Sequence, residues 1–136
     1  IEELLAFSTI LSIHAPLTEA TRGLVDKNFI DGMNDGTVFV NTARGGIVKD
    51  LDHLVYGLES GKISGLGLDV LPHEPPEGSE RLLGLWRDTS SPFYQHIIIN
   101  PHTAYFSHES WIEMRQKTAE NAKRILEGKQ PRSLIS

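Results

Sequence analysis

The chain has 136 residues, of which 39% are hydrophobic and 23% are charged, the composition of an ordinary globular domain. Its net charge of −5 argues against a nucleic-acid-binding surface, because such surfaces need clustered lysine and arginine. The absence of cysteine excludes disulfides, thiolate metal sites and cysteine nucleophiles. No apolar run approaches the ~20 residues that span a bilayer, and no signal-peptide pattern opens the chain. Together with the absence of cysteine, this fits a cytoplasmic protein.

The first predicted elements are a helix and a strand. Residues 1–7 have one apolar face at helical spacing. They carry neither an initiator methionine nor an N-cap, so we expect that residue 1 is not the natural start of the gene product. The short apolar run at 10–13 is typical of a buried strand. Pro16 pushes Ala15 out of the helical region, so this strand is predicted to end in a turn.

Two further elements lead to an arginine. Asp26 is predicted to cap a brief helix that runs to Ile30. The tripeptide at 34–36 is typical of a turn, and an apolar β-branched run then predicts a second strand at 37–41. Immediately after this strand comes the turn that carries Arg44.

A helix and a third strand follow. Asp50 is a favoured N-cap, the next residues repeat apolar side chains at helical spacing, and Gly61 ends the helix. The apolar positions of this helix are Leu51, Leu54, Val55 and Leu58. A buried strand is predicted at 65–70, with small residues that allow close helix packing and Asp69 at its end. Strand, helix and strand in this order predict a right-handed βαβ unit and a parallel sheet.

A long loop, a fourth strand and a long helix complete the predicted order. Residues 72–95 are rich in proline, glycine and charge, with an apolar cluster that predicts a short helix or plug. That cluster comprises Leu82, Leu83, Leu85 and Trp86. A fourth strand is predicted at 96–100, and Ser107 is predicted to cap a helix over about 107–127 that Gly128 and Pro131 end.

The last helix is predicted to have an apolar inner face, and the tail at 129–136 is too short to assign. The residues of that face are Trp111, Met114, Thr118, Ala122 and Ile125.

Polar or turn residues follow all four predicted strands, at 14–16, 42–44, 69–74 and 102. In a parallel sheet these strand ends lie along one edge, which is where open α/β sheets bind ligands. The predicted fold is therefore α/β with a ligand site at that edge.

Arg44 is the strongest candidate at this edge. Gly45 and Gly46 allow the main chain to turn close to a ligand, and the guanidinium fork suits a planar carboxylate. The alternative interpretation is a strand-end arginine paired with a surface acid.

His102 is a candidate general acid and base, because imidazole exchanges protons near neutral pH. Its alternative is a histidine bonded to neighbouring main chain. Glu74, in a rigid segment before Pro75, is the natural carboxylate partner, and its alternative is a solvated loop charge. Together with Arg44 these residues suit the reduction of a 2-keto acid to a 2-hydroxy acid.

Rival chemistries lack their motifs. The chain has no H-E-x-x-H, no other metal-ligand spacing among its histidines, no G-x-S-x-G and no Walker A loop, so no metal site is predicted. The glycines at 65 and 67 lie inside a strand and do not open a helix, so they are no dinucleotide fingerprint.

Four motifs in order resemble the D-isomer-specific 2-hydroxyacid dehydrogenases, a family that includes D-lactate, phosphoglycerate and hydroxypyruvate dehydrogenases and the C-terminal-binding-protein corepressors. The motifs are His14–Thr18 with Thr21, Val40–Gly46, Gly67–Val70 with Glu74–Pro76, and Pro101–Ala104. The resemblance implies a partial Rossmann-like parallel sheet with flanking helices. It also implies that residues 1–136 form the later part of an NAD-binding domain, whose final helix leads toward an absent substrate domain.

The resemblance implies roles for individual residues. Arg44 would bind the substrate carboxylate and keto oxygen, and would also lie beside the cofactor. Glu74 and His102 would be the acid/base pair, with His102 also contacting the cofactor, and Asp69 would hold the nicotinamide carboxamide. The remaining cofactor-binding residues would be His14, Ala15, Pro16, Thr21, Thr42 and Ala43. Of these, His14 and Thr21 would support the turn, while Thr42 and Ala43 would use their main chain.

The resemblance also implies what to expect of the whole protein. It would be an NAD-dependent homodimer that acts on a 2-keto or 2-hydroxy acid, with NADP not excluded as its cofactor. The alternatives are an NAD(H)-sensing corepressor of the same family, or a catalytically incomplete truncation. Members carry their glycine-rich fingerprint before the point where this chain starts. We therefore expect the 136 residues alone to bind NAD weakly, to lack turnover and to self-associate through an exposed sheet edge.

Two departures from the family pattern are evident. Asn100 stands where the family often has threonine, and the loop at 77–95 is longer than usual. Neither departure falls on the three candidate catalytic residues, but the loop leaves the substrate's identity open.

Overall fold

The computed structural model describes residues 1–132, and the chain divides into two compact units, Ile1–His102 and Thr103–Ser136. The strands are β1 (Ile10–Ile13), β2 (Thr37–Asn41), β3 (Ile63–Leu68) and β4 (Ile97–Ile99). The helices of the first unit are α1 (Glu2–Phe7), α2 (Lys27–Asp31), α3 (Leu51–Glu59) and α4 (Arg81–Arg87). The second unit contains α5 (His108–Leu126).

All four strands are parallel and lie in the order β1-β2-β3-β4, as the α/β prediction requires. The register aligns Leu11, Phe39, Leu66 and Ile97 in one row across the sheet. Each of the four is at most 5% exposed, so this row forms the buried face of the sheet. Because the strands are parallel, their carboxyl ends share one edge.

Helix α3 packs on β3 and on its neighbours α2 and α4. Its four predicted apolar residues are all at most 8% exposed. The Asp50 carboxylate accepts a hydrogen bond from the Asp52 N–H at 2.8 Å, and Gly61 follows the helix with a φ of +77°. The predicted cap, apolar face and stop are therefore confirmed, as is the Asp26 cap of α2, which accepts from the Phe29 N–H at 3.1 Å.

Several strand predictions need correction. β1 is an edge strand of the sheet, so only Leu11 is buried, and Ile10 is 67% exposed. β3 begins two residues earlier than predicted, because Ile63 pairs with Thr37, and it ends before Asp69. β4 is shorter than predicted, because a 3-10 turn occupies the residues before Ile97.

The prediction that the glycines of β3 allow a helix to pack closely is also wrong. A Cβ on Gly65 or Gly67 would meet the side chains of Val38 and Val40 at 3.5 to 3.7 Å, and no helix atom lies within 4 Å. These glycines therefore lie beside the valines of the neighbouring strand and do not make room for a helix.

Helix α5 begins as predicted. The Ser107 hydroxyl accepts from the Ser110 N–H at 3.0 Å, and the Ser110 hydroxyl accepts from the Ser107 N–H at 2.9 Å. Its predicted inner face is not buried, since none of the residues in this helix is buried. The described part of this unit is one helix and its flanking turns, which offer no second element to cover an apolar face.

No helix among residues 1–132 is both long and apolar enough to cross a membrane.

Candidate active site

The parallel sheet brings the four predicted strand ends to one edge, and main-chain hydrogen bonds connect three of them. The Asp69 N–H donates to the Asn41 carbonyl at 3.0 Å, which joins the ends of β2 and β3. The His102 N–H donates to the Asp69 carbonyl at 2.9 Å, which joins the ends of β3 and β4. Residues 41, 69 and 102 are therefore held at fixed positions relative to one another.

Glu74 and His102 form a direct pair across 28 positions of sequence. The His102 Nδ1 lies 2.7 Å from Glu74 Oε2, and the other carboxylate oxygen of Glu74 accepts from the Leu71 N–H at 2.8 Å. Burial acts to raise the pKa of Glu74, but the hydrogen bonds from His102 and Leu71 outweigh it and the net shift of the pKa is downward. Glu74 is therefore oriented at both oxygens and favours its ionised form.

His102 adopts a φ of +54°, in the left-handed region that residues other than glycine rarely occupy. A residue held in a sparsely populated backbone region costs about 1–3 kcal/mol and is typical of functional sites. The bonds from its main-chain N–H to Asp69 and from its ring to Glu74 hold this conformation in place.

The Glu74–His102 pair predicts a pH-dependent contribution to stability. Because the pKa of Glu74 is lowered from 4.5, its stabilising contribution is present above that value and is lost as pH falls through the lowered pKa. The difference in free energy of unfolding between the unsubstituted protein and Glu74→Gln should be larger at pH 7 than at pH 3. Urea denaturation across this pH range measures the difference in free energy of unfolding. Glu77→Gln is the matched control, because it removes one carboxylate from the same loop. An equal difference at every pH would contradict the prediction.

Arg44 lies at the edge with its side chain exposed, and its Nη1 donates to the Ala43 carbonyl at 2.7 Å. It lines an open cavity of about 200 Å³ that Glu74 and His102 also line. The three residues that the sequence singled out thus face one cavity. Arg44 has no acidic partner at salt-bridge distance among the described residues. The alternative interpretation, in which this arginine pairs with a surface acid, is therefore not supported.

Asn41 is a residue of this site that the sequence analysis did not assign. Its side chain is fully buried, its Oδ1 accepts from the Ala43 N–H at 3.0 Å, and its Nδ2 donates to the Arg44 carbonyl at 3.1 Å. Both halves of the amide therefore hold the turn that presents Arg44. The available signal was an amide at the last position of a strand, directly before a turn, where such a side chain can bond the main chain ahead.

Removing this amide should loosen the turn. Asn41→Ala leaves the Ala43 N–H and the Arg44 carbonyl without these partners, so we expect a loss of about 1–3 kcal/mol of unfolding free energy. Chemical denaturation measures the loss. Asn34→Ala is the matched control, because that amide makes a longer bond of 3.4 Å to the Ser8 carbonyl. Equal effects of the two substitutions would contradict the assignment.

The predicted turn after β1 is closed by Thr21. Its hydroxyl donates to the Pro16 carbonyl at 2.7 Å and accepts from the Thr18 N–H at 2.8 Å. His14 lies 2.9 Å from the Ser12 hydroxyl through its Nε2 and is exposed, while Ala15 is half-buried against the core. The turn that would line a nucleotide is thus held by its own side chains.

The strand ends offer a polar surface that fits a nicotinamide nucleotide. Asp69, directly after β3, is only 4% exposed. Thr42 and Ala43 are half-buried. The main-chain groups of Ala43 are already engaged, since its N–H donates to Asn41 and its carbonyl accepts from Arg44, so Thr42 is the freer candidate for a main-chain contact.

No group of three or more histidine, aspartate or glutamate side chains among residues 1–132 is arranged to hold a metal ion.

The parallel sheet, its flanking helices and the polar strand ends define a Rossmann-like domain. The chain belongs to the D-isomer specific 2-hydroxyacid dehydrogenase family, because residues 1–104 match the family model of the NAD binding domain. The resemblance noted in the sequence is confirmed.

Curated relatives support this membership. The chain is 34% identical over 128 residues to a hydroxypyruvate reductase from Blautia hydrogenotrophica, covering 94% of the chain and 37% of the relative. It is 35% identical over 136 residues to a glyoxylate reductase from Aeropyrum pernix, covering 100% of the chain and 38% of the relative. The chain thus spans less than two fifths of the length of these relatives.

Solved structures share the fold. A D-lactate dehydrogenase from Aquifex aeolicus, complexed with NAD and lactic acid, aligns with a TM-score of 0.79 and 32% identity over 93% of this chain and 40% of that one. A family member from Xanthobacter autotrophicus Py2, in complex with NADPH, aligns with a TM-score of 0.74 and 31% identity over 99% of this chain and 51% of that one.

Proposed function

We propose that this chain is the later part of the NAD-binding domain of an NAD-dependent oxidoreductase that interconverts D-2-hydroxy acids and 2-keto acids. The observation that carries the proposal is the Glu74–His102 hydrogen bond at the cavity that Arg44 lines. In this proposal the helix over about 107–127 leads toward a substrate domain outside these 136 residues. The 37–38% coverage of the two reductases supports that arrangement.

Each of the three residues at the cavity has its own role in the proposed reduction of a 2-keto acid. Arg44 binds the substrate carboxylate with two parallel hydrogen bonds and polarises the keto oxygen. His102 donates a proton to that oxygen, while Glu74 orients the imidazole through its hydrogen bond with Nδ1. NADH, when bound, would supply the hydride that reduces the carbonyl carbon. In the reverse direction, His102 accepts the hydroxyl proton.

The proposed cofactor site lies along the strand ends. Asp69 holds the carboxamide, the turn of His14, Ala15 and Pro16 that Thr21 closes lines the nucleotide, and Thr42 lies with Ala43 beside the nicotinamide. Arg44 and His102 border it from the substrate side. NAD is the proposed cofactor, and NADP is kept as an alternative because relatives have been solved with NAD and with NADPH.

For the whole protein we propose a cytoplasmic homodimer that binds a small 2-keto or 2-hydroxy acid and no nucleic acid. The absence of cysteine supports a reducing compartment, and the net charge of −5 supports the exclusion of nucleic acid. Exposed side chains on the outer strands, Ile10 at 67% and Ile98 at 64%, support the self-association expected of the 136 residues alone.

The test is NADH oxidation by the intact polypeptide that carries this sequence, with a series of 2-keto acids as substrates. We expect turnover that His102→Gln lowers by about 10²–10⁴-fold, the usual contribution of a positioned general acid. NADPH is assayed in parallel to decide the cofactor. The 136 residues alone are expected to bind NAD weakly and to show no turnover.

Three results would contradict these proposals. Absence of turnover with every acid and both cofactors contradicts the enzymatic function, and tight NADH binding without turnover instead favours the corepressor-type alternative. Tight NAD binding by the 136 residues alone, measured by calorimetry, contradicts the proposal that residues outside them supply part of the cofactor site.

A further inference from the structure

A larger cavity of about 460 Å³ also adjoins the Glu74–His102 pair. Its wall is mainly apolar and includes Leu83 and Trp86 of α4 and Ile99 of β4. We call this cavity the apolar chamber. Its volume lies within the range of about 300–1,000 Å³ that small-molecule sites occupy.

The apolar chamber and the Arg44 cavity share a wall. Leu71, Glu74 and His102 line both spaces, whereas Arg44 lines only the smaller one and Trp86 only the larger one. The proposed proton donor therefore stands where a carboxylate-binding space and an apolar space meet.

The shape of a 2-keto acid matches this division. Its carbonyl carbon carries the carboxylate in one direction and the side chain in another. With the carboxylate on Arg44 and the keto oxygen at His102, the side chain points away from Arg44, and the apolar chamber is the adjoining space of suitable chemistry. We infer that the apolar chamber receives the substrate side chain, and that the preferred substrates are 2-keto acids with a bulky aromatic or branched apolar side chain.

This inference rests on the proposed function and deepens it. Charge around the apolar chamber disfavours an anionic side chain, because two of the three carboxyl and guanidinium groups that line it, Asp69 and Glu74, are acidic, and the third is Arg87. The Arg87 guanidinium lies 6.0 Å from the centroid of the Trp86 ring, so the aromatic face of Trp86 already has a cation beside it.

The experiment measures kcat/KM of the intact polypeptide, with saturating NADH, for glyoxylate, pyruvate, 4-methyl-2-oxopentanoate and phenylpyruvate. An apolar pocket discriminates about tenfold or more for each well-placed methylene, so kcat/KM should rise at least about tenfold from glyoxylate to phenylpyruvate. Asn100→Trp should lower that ratio about tenfold, because residue 100 is exposed and lines the apolar chamber, which the indole would fill. Gln95→Trp is the matched control, since this exposed residue just before β4 does not line it and should leave the ratio unchanged.

A second readout does not depend on turnover. In the ¹⁵N-labelled intact polypeptide with NAD bound, the indole N–H signals of Trp86 and Trp111 are assigned with Trp86→Phe and Trp111→Phe. Phenylpyruvate should shift the Trp86 signal and leave the Trp111 signal in place, and glyoxylate should shift neither.

The outcomes separate the inference from the proposed function. Turnover with a flat ratio across the series overturns the inference and leaves the function standing. A rise in KM for NADH in Asn100→Trp, with equal losses for every acid, also overturns it, because the apolar chamber then holds the nicotinamide. Absence of turnover with all four acids counts against the function, and an unmoved Trp86 signal still overturns the inference on its own.

Discussion

Replacing Gly45 by alanine is expected to lower the free energy of unfolding by at least about 3 kcal/mol, at the upper end of overpacking costs. A Cβ at this position would lie 1.9 Å from the carbonyl oxygen of Leu71 and 2.6 Å from the nitrogen of Pro72. Both contacts are with main chain, which cannot rotate aside as a side chain can. The turn that presents Arg44 would therefore have to separate from the segment that leads to Glu74.

Urea denaturation of the intact polypeptide measures this loss, with Gly46→Ala as the matched control. A Cβ on Gly46 would approach the Leu17 Cδ2 at 3.1 Å, and that methyl is the end of a flexible side chain. The control should therefore cost less than about 1 kcal/mol. Similar unfolding midpoints for Gly45→Ala and the unsubstituted protein would show that the two segments do not touch as closely as described.

Replacing Arg44 by alanine is expected to lower kcat/KM for 2-keto acids by about 10²–10⁴-fold. Two charge-assisted hydrogen bonds to a carboxylate contribute about 1.5–3 kcal/mol each, and every 1.4 kcal/mol is about a factor of ten. Arg44→Lys keeps the charge but loses the fork, so it should recover only part of the loss. Steady-state kinetics on the intact polypeptide measures both variants.

Arg81→Ala is the control for this measurement. Arg81 is an exposed arginine that pairs with Glu59 and lines neither cavity, so its loss should leave kcat/KM unchanged. An Arg44→Ala variant that retains kcat/KM within the error of the unsubstituted protein would remove Arg44 from the proposed carboxylate site. A parallel loss in Arg81→Ala would show that the assay reports overall charge and not this contact.

Local patterns in the sequence were sufficient for most helices. Helix α3 follows from an aspartate cap, a four-residue apolar face and a glycine stop, and each of these acts within one or two turns of chain. The strand at 37–41 follows equally well, because its apolar β-branched residues and the glycine turn before it are contiguous. Strand bounds were less certain where pairing decides them, as when Ile63 joins the sheet through Thr37.

The amphipathic pattern of α5 shows the limit of such arguments. Trp111, Met114 and Ile125 recur at helical spacing, which predicted an inner face, yet they are 39%, 45% and 60% exposed. Periodicity identifies which side of a helix is apolar. It does not provide the surface that would cover that side, and the described part of this unit contains none.

For the candidate site, the sequence by itself determined which groups stand at strand ends, because a turn must follow each strand and Arg44, Asp69 and His102 occupy those turns. Only the tertiary structure decided that the His102 ring lies 2.7 Å from Glu74. That distance joins residues 28 positions apart, so chain order does not encode it locally, and it arises only when the neighbouring strands are in register. The amide of Asn41, by contrast, bonds the turn two and three residues ahead of it, so its role was readable from a local pattern.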